Sequence, residues 1–194
     1  MARRQLLAGL VLLGGFAAWA AVASATDTSE WATSLTRHVH GRPDGWAVVL
    51  WPAMQLGNRL VALAVCGLVA WLVGRRPAVA VLAIVLVAWS AAILTKEVAQ
   101  RPRPSAAELG GAPRSMVEGW GFPSSHATVA FALATAVALV WPRPSAWRYA
   151  LVPVAVLAAV ARMYYGVHFA DDVAAGALLG TGVALTIGAV APST

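Results

Sequence analysis

The sequence predicts an all-α integral membrane protein, a bundle of about six transmembrane helices, from composition, periodicity and charge placement. Apolar residues make up 60% of the chain and the mean hydropathy is +0.72, far from a soluble globular composition. A helix needs about 20 mostly apolar residues to cross the hydrocarbon core, and runs of roughly that kind recur along the 194 residues. Basic residues sit in the gaps between the runs, where they set topology.

The first run, Leu6 to Ala25, follows Arg3 and Arg4, which favours a cytoplasmic N-terminus. It ends in Ala23-Ser24-Ala25, a pattern that also fits signal-peptide cleavage. Its apolar stretch is longer than a usual signal core, which favours an uncleaved helix. Residues 26–54 are more polar and carry Trp31 and Trp46, as suits an interfacial segment on the extracytoplasmic side. His38 and His40 within it are two apart, do not share a helix face, and read as solvated. The helical core is expected over 55–194, with runs at Gln55–Leu72, Pro77–Leu94, His126–Trp141, Tyr149–Tyr164 and Asp172–Val190. The runs from His126 and from Tyr149 are short for a span. Gly176, Ala177, Gly180 and Gly182 in the last run allow close helix packing.

Alternating the spans from an inside N-terminus puts Arg75, Arg76, Arg143 and Arg148 in the cytoplasm, as the positive-inside rule requires. Lys96, Arg101, Arg103, Arg114 and Arg162 then fall outside, against that rule, and need another reason to be there. The net charge of +6 and the pI near 10.7 are therefore not read as a nucleic-acid signal. A lone Cys66 in the second run excludes a disulfide within the chain.

Three clusters carry chemistry. Lys96 closes the third run, and Arg101-Pro102-Arg103-Pro104 stops the helix; gathered cations of this kind suit a phosphoryl group or an acidic lipid headgroup. Pro123-Ser124-Ser125-His126 leads into the fourth run, where serines cap and free N–H groups bind anions. Arg162 to Asp172 crowds an arginine, a histidine and two aspartates between apolar runs in a chain only 11% charged. If the chain after Gly166 is helical, His168 and Asp172 share a face, so the carboxylate can hold one imidazole nitrogen while the other meets a substrate.

In this order and spacing the clusters resemble the type 2 phosphatidic acid phosphatase superfamily. Lys96 with six residues before Arg103-Pro104 is similar to its first motif. Pro123-Ser124-Ser125-His126 is similar to the second, with Ser125 where the family has glycine. Arg162, His168 and Asp172 match the third, with Ala161 in place of its serine. The resemblance implies a membrane lipid phosphatase without metal or other cofactor. His168 is the expected nucleophile, Asp172 its tautomer-holding partner and His126 the proton donor, with Asp171 a second choice for Asp172. Lys96, Arg103, Ser124, Ser125 and Arg162 are the expected phosphate ligands, whereas Arg101 and Arg114 fall outside the motifs and read as headgroup contacts or solvated charge. A lipid phosphate is the implied substrate, at the extracytoplasmic face of the cell membrane. Undecaprenyl or decaprenyl diphosphate leads, ahead of phosphatidic acid or phosphatidylglycerol phosphate. Phosphate transfer to another acceptor and non-catalytic lipid binding are the other readings.

Overall fold

Each long apolar run is helical, and its ends fall where the sequence stops a helix. The structure, a computed structural model, describes residues 2–142 and 146–190. Arg143, expected between the fourth and fifth runs, lies outside the described residues. The helices are α1 (Ala2–Ala25), α2 (Glu30–His40), α3 (Ala47–Met54), α4 (Arg59–Leu72), α5 (Arg75–Ala99), α6 (Ala106–Leu109), α7 (Ser125–Val140), α8 (Leu151–Tyr164) and α9 (Ala170–Val190). Among the described residues there is no strand.

Caps and breakers set these bounds. The Asn58 side chain accepts the Leu60 N–H at 2.9 Å and opens α4. Gln100, at a left-handed φ of 46°, closes α5, and Pro102 and Pro104 offer no N–H to continue it. Gly166, at φ 71°, turns the chain between α8 and α9. A side chain there would also strike Leu109, with a Cβ only 2.8 Å from its Cδ1.

The expected six full spans resolve differently. Among the described residues four helical stretches are long and apolar enough to cross a membrane: Ala2–Ala25, Arg75–Ala99, Ala146–Tyr164 and Ala170–Val190. A fifth candidate is a broken one, Asp44–Gly57 meeting Arg59–Leu72 at 69°. Helix α7 has only 16 residues, about 24 Å at 1.5 Å per residue. It can be short because it starts at the fully buried Ser124 and is enclosed by α5, α8 and α9.

Helix α9 is the axis of the bundle, packed between α1 and α7. Small residues make this possible: a Cβ on Gly180 would lie 2.2 Å from the Thr128 carbonyl, and one on Gly9 would lie 2.4 Å from the Thr186 hydroxyl. Outward faces stay apolar, with Val11 72%, Trp71 80% and Leu94 68% exposed. Such a belt belongs against lipid, and the chain is a multi-pass membrane protein.

Residues 26–54 do more than lie along a surface. Helix α2 buries Ala32, Thr36 and His40 against α8, α9 and α6, while α3 packs along α8. His40, expected to be solvated, is 6% exposed, and its ring nitrogens lie 2.9 Å from the Tyr164 carbonyl and 3.2 Å from that of Ala112. Those partners lie far along the chain, so helix periodicity in α2 alone gives no sign of them.

Candidate active site

One end of the bundle collects the C-terminal ends of α5 and α8, the N-terminal ends of α7 and α9, and the 100–124 and 165–169 loops. After α5 the prolines keep the chain extended, and the Gly121 N–H donates to the Arg101 carbonyl at 2.7 Å, so the segment around Gly121 runs beside it. Lys96, buried at the end of α5, donates to the carbonyls of Trp120 and Gly121 at 2.8 Å each. Arg103 donates to the Gly119 carbonyl at 3.0 Å and to that of Val167 at 2.8 Å, joining the two loops.

His168 lies at this junction, 2% exposed. Its Nε2 is 3.1 Å from the Arg103 guanidinium and its Nδ1 is 3.3 Å from Asp172 Oδ2. A guanidinium only donates, so Nε2 must be the acceptor and Nδ1 carries the proton, which it donates to Asp172. That tautomer aims a lone pair from Nε2 into the cation cluster. Burial, reinforced by the positive charges of Arg162, Lys96 and Arg103, holds the imidazole well below its ordinary pKa of 6.5, so the free site keeps a neutral ring. Asp172 is fully buried and also accepts the Phe169 N–H at 2.8 Å, which fixes its carboxylate at the start of α9.

Arg101, expected to be headgroup-facing or solvated, is instead 5% exposed and clamps both aspartates. It grips Asp171 through two bonds of 2.7 and 2.8 Å and reaches Asp172 Oδ1 as well. Asp171 thus serves Arg101, and Asp172 is the partner of His168. Residues two apart in an extended segment point the same way, so the Arg-Pro-Arg-Pro spacing was a signal that Arg101 faces inward beside Arg103. Arg114 is half-buried, lies 4.4 Å from the Tyr164 ring and pairs with Asp44 at 3.3 Å, away from His168.

Arg162 is 5% exposed, and among the described residues its Nη1 meets only Met54 Sδ at 3.4 Å while its Nε is buried without a partner. Among the described residues none of Lys96, Arg103 and Arg162 makes an ion pair. Ser124 caps α7 and donates its N–H to the Asp172 carbonyl at 2.9 Å, tying α7 to α9. The Ser125 hydroxyl is buried and has no partner among the described residues. His126, one residue on, faces a cavity of about 290 Å³ with Ser125, Gly57, Asn58, Arg59, Trp89 and Ile93. Gly57 is needed there, since a Cβ would lie 2.6 Å from the His126 carbonyl.

All the expected site residues therefore meet at one end, with Ser124 occupied as a cap and His126 on the cavity side. Sequence reading missed the inward roles of Arg101 and of Thr36, whose hydroxyl accepts the Ala170 N–H at 2.9 Å and caps α9 from α2. What the arrangement can do chemically is hold an anion among cations while a neutral, oriented imidazole faces it.

No curated protein matches this chain. Solved structures that share its fold include the first transmembrane PAP2 type phosphatidylglycerolphosphate phosphatase from Bacillus subtilis, with a TM-score of 0.72 and 21% identity over 92% of this chain and 93% of that one. LpxE from Aquifex aeolicus is also similar, at TM-score 0.68 and 21% identity over 81% of this chain and 95% of that one. The sequence profile of the PAP2 superfamily matches residues 61–192, which hold every residue of the three clusters. The chain belongs to the PAP2 superfamily.

Proposed function

We propose that this protein is a lipid phosphatase working through a phosphohistidine on His168, with the site at the extracytoplasmic face of the cell membrane. The observation that carries the reading is the pairing of an oriented, neutral His168 with Lys96, Arg103 and Arg162, cations that have no carboxylate of their own among the described residues. Buried cations without counter-ions are costly, and an incoming phosphoryl group relieves that cost. It would draw the Arg103 N–H from Nε2 to a phosphoryl oxygen, freeing the lone pair for attack.

In the first step Nε2 bonds to phosphorus as the bond to the leaving oxygen breaks, and His126, which takes up a proton as the anionic substrate enters beside it, gives that oxygen the proton. Asp172 stabilises the imidazolium character that develops on His168. Water then attacks the phosphohistidine, its proton passes to His126, and inorganic phosphate leaves. Lys96, Arg103, Arg162 and the Ser125 hydroxyl hold the phosphoryl oxygens in both steps, and none of these roles calls on a metal. A polyprenyl diphosphate is the substrate we favour, supported by the superfamily membership and by a cavity that continues into apolar surroundings.

The test is phosphate release by purified protein in detergent with a chelator present, from a polyprenyl diphosphate, phosphatidic acid, phosphatidylglycerol phosphate and a water-soluble ester. The wild type is expected to turn over at least one lipid. His168→Ala falls to background, and Asp172→Asn falls by about a hundredfold or more. Full activity in folded His168→Ala protein would remove the nucleophile.

A further inference from the structure

The lining of the cavity beside His126 contains none of the cations that surround His168. It includes Arg59 and Trp89, and the same two residues line a second, apolar hollow of about 150 Å³ formed with Ala62, Leu63, Leu82, Val85, Leu86 and Val129. The two spaces are thus neighbours in a lateral groove between α4 and α5, with α7 behind it and Arg59 where the polar part becomes apolar. Resting on the phosphatase reading above, we infer that Arg59 forms a second anion site, which binds the phosphate remaining on the leaving group and so selects lipid diphosphates over lipid monophosphates.

Arg59 opens α4, where the positive end of the helix dipole makes a cation unfavourable. Among the described residues no carboxylate pairs with it. Its guanidinium lies instead 5.1 Å from the centre of the Trp89 ring, a stacked position that keeps its forked donors available to a ligand. The cavity lining brings three polar residues, His126, Ser125 and Arg59, to the side of the apolar hollow, with the Ser125 hydroxyl itself buried and without a partner among the described residues.

The chemistry separates two kinds of substrate. When a lipid diphosphate reacts, the terminal phosphorus bonds to His168, the bridging P–O bond breaks, and the bridging oxygen stays with the lipid phosphate after taking a proton from His126. That product is an anion beside His126, within reach of Arg59, and its chain follows the apolar hollow. When a lipid monophosphate reacts, the leaving group is a neutral alcohol, which gives Arg59 nothing to pair with. Water completes both reactions by releasing phosphate from His168.

The experiment compares kcat/KM for geranylgeranyl diphosphate and geranylgeranyl monophosphate, a pair differing only in the second phosphate, in wild type, Arg59→Gln and Arg59→Lys. The diphosphate-to-monophosphate ratio is expected to fall about tenfold or more in Arg59→Gln, the size of one lost charge-assisted contact, and to stay within about threefold of wild type in Arg59→Lys. The ratio is insensitive to partial loss of folded protein. An unchanged ratio in Arg59→Gln, with both substrates hydrolysed, overturns the second anion site and leaves the phosphatase reading standing. Hydrolysis of neither substrate by the wild type removes both. If Arg59→Gln does not fold, inhibition of wild-type monophosphate hydrolysis decides: inorganic pyrophosphate must act about tenfold more tightly than inorganic phosphate, and equal potency overturns the inference.

Discussion

Arg101 reaches two aspartates that do different things: Asp171 balances it, and Asp172 holds His168. Removing the guanidinium leaves two carboxylates side by side out of water, and breaking a buried ion pair in this way costs roughly 3–5 kcal/mol. Arg101→Gln is therefore expected to lower the thermal midpoint and to cut kcat about tenfold or more, because Asp172 loses its fixed geometry. Adding Asp171→Asn to Arg101→Gln should restore part of the stability, since it removes the repulsion; strictly additive losses in a double-mutant cycle would show that the clamp is not a unit. Legibility at this scale followed the local spacing. His168 and Asp172 were readable because a helix places positions four apart on one face. The buried fork of Arg101 depends on contacts 70 and 71 residues away and was not readable as a partner set.

The helices that approach most closely are also those that bring the clusters together. Helices α7 and α9 touch through Gly176 and Gly180, whose added Cβ atoms would lie 2.6 Å from the Ser124 carbonyl and 2.2 Å from that of Thr128. Ser124 is the residue whose N–H bonds the Asp172 carbonyl, so separating these helices also separates His126 from His168. Gly180→Leu is expected to destabilise the bundle by about 1–3 kcal/mol, the usual penalty of overpacking, and to lose most activity. Gly67→Leu, at a position with nothing within 4 Å of an added Cβ, is the matched control and should behave as wild type in thermal unfolding. Equal effects of the two would sink the packing argument. Helix limits were legible to within a few residues because apolar runs end at asparagine, serine, proline and glycine signals. The fate of residues 26–54 was not, since α2 and α3 are partly buried only once α8 and α9 are in place beneath them.

Across the whole molecule, most of the basic residues that would break the positive-inside pattern in the proposed orientation have occupations that explain them. Lys96 and Arg103 brace loops, Arg101 and Arg114 pair with aspartates, and Arg162 is buried with no counter-ion among the described residues. Charges occupied in this way do not anchor topology, and Arg3, Arg4, Arg75, Arg76 and Arg148 are among the basic residues on the expected cytoplasmic side. A reporter inserted in the 106–119 loop should therefore be accessible from outside the cell, and a cytoplasmic reporter would reverse the orientation of every span. The hydroxyl of Thr36 carries a different consequence. It caps the helix that presents Asp172, yet it precedes the first residue matched to the superfamily by 25 positions, as do His40 and Gly57 by fewer. The recognisable module and the physically self-sufficient one therefore have different borders. A transplant of 61–192 into another scaffold would carry every expected catalytic side chain and leave behind the cap that holds one of them still.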